Sequence, residues 1–583
     1  MTDVSDSKNL VMSGCVQDSA LMLRAPQDVM RLEALGASFP HRLSFKRTLI
    51  RKLHEQGAQL RITDHALDEN GFGHLVLTIG FYGRDYSLIA YSRKLDDDQR
   101  TDRVIATAWD ASFCLFDGIP EPKDIAFLAD EVTHQEAGIY HEKVMTLSRA
   151  NKSVRLFAHV IDALSQGKQP DHEMIAQIGY LMRTTAVYGN GKFGIADRDF
   201  IKRHDGLEGP FRAEMLTVFL IREFTFYLAD HMAQVKGGAK SVSLSAPMRR
   251  NLGVGNSTGL GMAPFLIHHP NLFHSWILVR ETAIARCRSL PELSAEKQKY
   301  YQNFYHRVAA HLAQWQVDDK GYQVTIAKLV ADWASLGTEL ESLLAGKMPC
   351  EALMQWGIGK GDDMAALMGS YIMEYLPELT DGLEECMTQA REPALEPKMT
   401  LGQLQALIGA HYQWAEALDL SAKETRAQFW YVSEEKLEPR LGNAYEEDGQ
   451  MLEMPFAMAY YIADLKKAMG DFEDDALVAE LLMRHPDLRY IVRRIQNVAH
   501  FTYAEVHGNL VGATCRPIDL LRCKLSFFGA SKFDPRSDRW TRITLYQGAP
   551  TAADLSDPMA DDWAFWVVSD AANPDLKSDL GAS

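Results

Sequence analysis

An α+β chain with a helical majority is what this sequence predicts, and three observations carry the prediction. Residues from about 59 to 117 alternate apolar and polar with the period of antiparallel strands. From about 121 to 510 apolar residues recur at helical spacing. After Gly508 short β-branched and aromatic runs return. Together they suggest a large helical body with a smaller antiparallel β-rich subdomain. N-terminal strands form that subdomain, and C-terminal strands are candidates to join it. The domain reading is 1–55 as a partly helical N-terminal segment, 56–120 as the β-rich subdomain, 121–510 as the helical body carrying Gly-rich loops, and 511–583 as C-terminal strands and tail. A chain of 583 residues exceeds what one simple core serves, so more than one domain or subdomain is expected.

Taken in order, Gly73–Phe81 and Asp85–Ser92 flank a short turn containing Gly83, a hairpin signal. The run 103–116 supplies one or two more strands, after the acidic loop Asp96-Asp97-Asp98. Helical spacing then marks Glu173–Val187, Arg212–Ala233, Ala295–Trp315, Thr325–Leu344, Asp363–Leu376 and Leu401–Leu418. The segment 212–233 is apolar nearly all round, which places it in a core and obliges Arg222 and Glu223 to find buried partners. Lys524–Phe528, Thr541–Tyr546 and Trp563–Val568 read as strands. Trp356-Gly-Ile-Gly-Lys360 echoes Tyr188-Gly-Asn-Gly-Lys192, but the flanks do not align as a repeat would.

Composition narrows the partners. A net charge of −17 disfavours non-specific binding to nucleic acid or anionic membranes. No apolar run reaches the length of a membrane span, since Met215–Leu228 is broken by Arg222 and Glu223. Residues 1–17 lack the apolar core of a secretory signal, so the expected location is cytoplasmic. Seven scattered cysteines with no CxxC pair argue for buried free thiols and against a zinc site of familiar spacing. A homo-oligomer is compatible with this composition.

The densest chemical signal is Arg249-Arg250-Asn-Leu-Gly-Val-Gly-Asn256-Ser257-Thr258-Gly-Leu-Gly-Met262. Glycines let a backbone approach a ligand closely, and a following helix start presents free N–H groups to an anion. Ser257 and Thr258 offer hydroxyl donors, Asn256 serves either hydrogen-bonding partner, and Arg249 suits a carboxylate or phosphate. The plain alternative is a tight connection into an N-capped helix. Walker, Rossmann and GxSxG patterns are all absent here. The stretch 255–262 resembles the serine-bearing loop of the aspartase and fumarase class of lyases. It lacks the lysine which that class places just after, and it assigns no family.

Two further clusters supply partners. In Arg183-Thr-Thr-Ala-Val-Tyr188-Gly-Asn190-Gly-Lys192, Arg183, Asn190 and Lys192 are substrate-binding candidates. Tyr188 is an acid or base candidate if a cation lowers its pKa; the plain reading is a glycine-capped helix end. In His500-Phe-Thr-Tyr503-Ala-Glu505-Val-His507, extended geometry puts Tyr503, Glu505 and His507 on one face, with Glu505 orienting His507 as a base. Arg516 follows as a further anion contact, and a satisfied polar network is the bland alternative. His268-His269-Pro270 reads as a helix end followed by a new helix start at Pro270. Phe429–Arg440 reads as a charged helix face at a contact, and Lys532, Arg536, Arg539 and Arg542 as a basic patch.

The function these patterns point to is an enzyme acting on a small anionic metabolite, a carboxylate or phosphate ester, by elimination or hydrolysis. It would need no tightly bound organic cofactor and no metal. Arg249, Arg183 and Lys192 would hold the anion, Ser257, Thr258 and Asn256 a developing oxyanion, and His507 the proton. Two alternatives stand beside it: a nicotinamide- or flavin-dependent oxidoreductase with an atypical loop, and a non-catalytic helical scaffold.

Overall fold

Alternation between residues 59 and 117 reports a real sheet, and the sheet reaches well beyond it. The computed structural model describes residues 21–35, 39–94, 109–134, 141–153, 156–189, 203–209, 211–256, 270–387, 394–422, 430–432, 439–441, 458–505, 525–535, 541–557 and 561–567. The chain divides into two units of three stretches each. Phe39–Leu260, Leu293–Ala345 and Leu525–Ser583 form the sheet unit; Met1–Ser38, Gly261–Glu292 and Gly346–Lys524 form the other. Helix predominates, so the α+β class holds.

The sheet unit is built on β1 (Leu60–Leu67), β2 (Gly73–Phe81), β3 (Arg84–Lys94), β4 (Trp109–Asp117), β5 (Val144–Lys152), β6 (Tyr180–Gly189), β7 (Gly253–Asn256), β8 (Lys532–Pro535) and β9 (Thr541–Leu545). They lie in the order β1-β2-β3-β4-β5-β6-β7-β9-β8, so both C-terminal strands join the N-terminal ones. The β2–β3 hairpin closes Phe81 on Arg84 through Tyr82 and Gly83, both with positive φ, the two-residue turn that matches strand twist. Every pairing is antiparallel except β6 with β7, where Arg183 faces Gly255 and Thr184 faces Asn256.

Each face of the sheet has its own cover. The helix Arg212–Gly237 packs on one face, with Phe224 against Phe113 at 5.3 Å and the Thr217 hydroxyl 2.6 Å from that of Thr146. Arg222 and Glu223 find the buried partners their position requires. Arg222 donates to the carbonyls of Leu252, Ala549 and Pro550, and Glu223 accepts the Ala552 N–H at 3.1 Å. On the opposite face Val76, Ile89, Cys114, Phe116 and Val144 pack with Ile125 and Leu128 of the helix Pro122–His134.

Several local expectations are corrected. The helix foreseen at 173–187 stops after one segment. Asp171 caps His172–Ile178 by accepting from Glu173 and Met174, Gly179 turns left-handed at φ 80°, and β6 follows. Thr184, Thr185, Val187 and Tyr188 are β-branched or aromatic, which favours the strand once Gly179 has ended the helix. Leu525–Gly529 is a π-turn rather than a strand, and Trp563–Val567 runs through turns. There Phe565 packs on Phe39 at 5.9 Å and Phe304 at 5.5 Å, so aromatic burial and not strand pairing explains the run. The glycine echo has no common structure: Tyr188 and Gly189 end a strand, whereas Trp356–Lys360 ends the helix Pro349–Lys360.

The other unit is helical. The helices Leu401–His411, Met458–Met469, Val478–Arg484 and Arg489–Val498 close on Leu404, Ile408, Tyr412, Leu465, Val492 and Ile495. Pro270 starts the helix Pro270–Arg288, as the His-His-Pro sequence predicts. Trp430–Val432 and Pro439–Leu441 pair as a two-stranded ribbon in place of the helix face expected at 429–440. Cys114, Cys287 and Cys350 are buried and outside any disulfide, while Cys386 is disulfide-bonded, contrary to the reading of scattered thiols. No helix among the described residues is long and apolar enough to cross a membrane.

Candidate functional site

A strand directs alternate side chains to opposite faces, and directly paired residues share a face. Arg93 pairs with Asp110, Ser112 with Arg149, and Asn151 with Arg183. These six therefore line one face of β3–β6, the same face whose other end is closed by the apolar residues under the helix Pro122–His134. Along it, chemistry changes from aliphatic to the Asp110 carboxylate with Arg149 and Arg93 beside it, and Arg183 on the outer strand β6.

Buried polar atoms in this patch lack partners. The Arg149 Nε donates to Asp110 Oδ2 at 2.6 Å, and Asp110 is fully buried. Among the described residues, the second carboxylate oxygen of Asp110, the Ser112 hydroxyl and the Asn151 Nδ2 have no hydrogen-bond partner. Arg183, half-buried beside Asn151, makes no ion pair among the described residues. Native interiors leave few such groups, and each calls for an explanation. Burial raises the Asp110 pKa and Arg149 opposes the shift without cancelling it, so this carboxyl takes up a proton more readily than a surface one.

The sequence-predicted residues distribute as follows. Arg183 belongs to the patch. Asn256 lies one strand over, buried, with its Nδ2 donating to the Thr184 hydroxyl at 3.1 Å. Thr184 and Asn256 point to the face covered by Arg212–Gly237, opposite Arg183, so within the strands Asn256 and Arg183 do not converge. Arg249 is engaged with the Asp230 carboxylate at 2.5 Å and the Leu244 carbonyl at 3.0 Å. The backbone of Tyr188 lies in β6, paired with Leu147. Glu505 belongs to the other unit, where both its oxygens accept from Arg494 at 2.8 Å and one also accepts the Tyr412 hydroxyl at 3.0 Å. His274 of that unit accepts the Tyr503 N–H, and burial pushes its pKa down to about 4. Ser257, Thr258, Asn190, Lys192, His507 and Arg516 lie outside the described residues.

Two features of the glycine stretch have a packing cause. A Cβ on Gly255 would fall 2.6 Å from the Tyr180 ring, and one on Gly253 would fall 2.1 Å from the Leu545 carbonyl. Lys532 and Arg542, read as a basic patch, donate to carbonyls at the end of the helix His172–Ile178: Lys532 to Ala176 and Gln177, Arg542 to Gln177, all at 3.0 Å.

Sequence reasoning singled out Arg183 and passed over Arg93, Asp110, Ser112, Arg149 and Asn151. The signal was there. Asp110/Ser112 and Arg149/Asn151 are polar residues two apart on adjacent strands, the spacing that puts each pair on one face of a sheet. No group of three or more His, Cys, Asp or Glu side chains is arranged to hold a metal ion among the described residues. No protein-family model, curated protein or solved structure matches this chain.

Proposed function

We propose that this protein is an enzyme acting on a small anionic metabolite, a carboxylate or phosphate ester, by elimination or hydrolysis, with the polar face of β3–β6 as its binding site. One observation carries the proposal. The Asn151 Nδ2 is a buried donor without an acceptor among the described residues, and cross-strand pairing places beside it the half-buried Arg183, which makes no ion pair among those residues. A guanidinium beside an amide N–H matches two oxygens of a carboxylate or phosphate. Arg149 and Arg93 add positive charge, and Asp110, inclined to hold a proton, is the group to transfer one. Ser257 and Thr258, which follow β7 in sequence, retain their proposed role as donors to a developing oxyanion.

The test is ligand-induced stabilisation. Among dicarboxylates and phosphate monoesters, at least one is expected to raise the melting temperature of the wild-type protein. Arg183→Met and Asn151→Leu should each weaken that ligand by about tenfold or more. If no anion of either class shifts the wild-type melt, or if both variants respond as the wild type does, the proposal fails.

A further inference from the structure

A second cluster in the sheet unit lies away from the polar face. Ser44 stands at the cap position of the helix Phe45–Glu55 with extended backbone, yet its side chain makes no capping bond. Its hydroxyl is buried without a hydrogen-bond partner among the described residues. Gly529, at φ +76°, keeps space beside it: a Cβ there would fall 2.6 Å from the Ser44 hydroxyl and 2.9 Å from Lys46 Cε. Lys46 is 1% exposed, with its Nζ 2.5 Å from the Ser531 hydroxyl and 4.6 Å from the centre of the Trp563 ring. Ser531 is only partly buried, and its own N–H is anchored on the Thr544 carbonyl at 2.7 Å.

The surroundings disfavour an ammonium. Burial is the largest cause, and Arg47 and Arg222, the charged groups facing Lys46, add repulsion; together they hold its pKa well below the usual lysine range. The first turn of a helix is also the wrong end of its dipole for a cation. Among the described residues Lys46 has no carboxylate partner. As an ammonium Lys46 Nζ donates to the Ser531 hydroxyl; in its neutral form the amine has a lone pair that accepts from that hydroxyl over the same contact.

We propose that Ser531 and Lys46 form a nucleophile–base pair that hydrolyses an ester or amide. The Ser531 oxygen bonds to the acyl carbon while its proton passes to Lys46 Nζ. The tetrahedral oxyanion takes a hydrogen bond from the Ser44 hydroxyl, which has no acceptor among the described residues. When the carbon–leaving-group bond breaks, the alcohol or amine departs with the proton from Lys46, leaving an acyl ester on Ser531. Water then attacks that ester, giving its proton to Lys46, and the released Ser531 oxygen recovers it. Trp563, with its ring centre 4.6 Å from Lys46 Nζ, favours an apolar acyl group.

A fluorophosphonate probe tests this on the full-length protein, with intact mass and peptide mapping as readouts. One adduct is expected, on Ser531, absent from Ser531→Ala and at least tenfold slower in Lys46→Met. The wild-type labelling rate should rise with pH to a plateau below the ordinary lysine range. Failure to label Ser531 in protein with a native melting profile overturns the proposal, as does equal labelling of Lys46→Met. Should Lys46→Met fold poorly, Ser531→Cys supplies the reading. A neutral lysine base lowers the pKa of that thiol, seen as iodoacetamide alkylation titrating below the ordinary cysteine range, and an ordinary or raised value overturns the pair. Anion-induced stabilisation is read independently, so either proposal can fail alone.

Discussion

At the scale of single residues, burial decides which charges can do chemistry. Lys152 illustrates the rule outside both candidate sites. Its Nζ lies 4.0 Å from the Trp109 ring and 4.7 Å from the Phe157 ring, and burial pushes its pKa down to about 7. The unfolded lysine titrates near 10.4, so between about pH 7 and 10 the unfolded chain binds more protons at this position. Stability therefore rises with pH across that window, and the penalty is complete below it. Lys152→Met should remove this dependence, so its stabilising effect in denaturant titrations is expected to be larger at pH 6.5 than at pH 9.5. Equal gains at both would refute the burial account. Legibility in sequence follows the same division. Arg222 and Glu223 announced their need for partners because they interrupt an apolar helix. Lys46 and Ser531 gave no such sign: 485 positions separate them, and only folding makes one the other's neighbour.

At the scale of elements, turn chemistry overrode periodicity. The stretch 173–187 has helical spacing throughout, but Gly179 ends the helix and the chain continues as β6, the strand that carries Arg183. Much of the sheet was readable from alternation, whereas β5 and β6 were not, since polar residues fall on both faces of these strands, Thr146 and Ser148 on one side of β5 and Arg149 and Asn151 on the other, and no alternation survives. The glycine-rich strand has a similar lesson. Gly255 looked like a ligand-approach residue, and the Tyr180 ring occupies the space above it. Gly255→Val should destabilise the sheet unit by about 1–3 kcal/mol through forced displacement of that ring. Pairing it with Tyr180→Ala should recover part of the loss, and a double variant no better than the sum of the singles would show that the ring is not the cause.

At the scale of the whole molecule, each unit holds a carboxylate gripped by arginines, Glu281 fully buried and Asp561 partly exposed. In the helical unit Glu281 receives Arg24 at 2.7 and 2.8 Å and Arg280 at 3.0 Å. In the sheet unit Asp561 faces Arg42 at 3.1 Å, Arg47 at 3.0 Å and Arg51 at 3.5 Å. Burial alone would raise both pKa values, but the arginines outweigh it and lower them. Folded values below the unfolded ones give stability that is full above about pH 4–5 and lost as pH falls through the folded values. Glu281→Gln should cost about 3 kcal/mol at neutral pH and flatten the acid limb of the unfolding curve. An unchanged acid midpoint in that variant would show that the ion pair does not govern acid stability.

Strand order also has a consequence for synthesis. β7 pairs on one side with β6, made earlier, and on the other with β9, which begins at Thr541. A ribosome adding 5–20 residues per second needs roughly 15–60 s to pass from Asn256 to Thr541. Throughout that interval the Gly253–Asn256 edge is open, and an open edge is a template for pairing with other chains. The last tenth of the polypeptide is thus the clasp that shuts the sheet, and it delivers Ser531 to Lys46 in the same step.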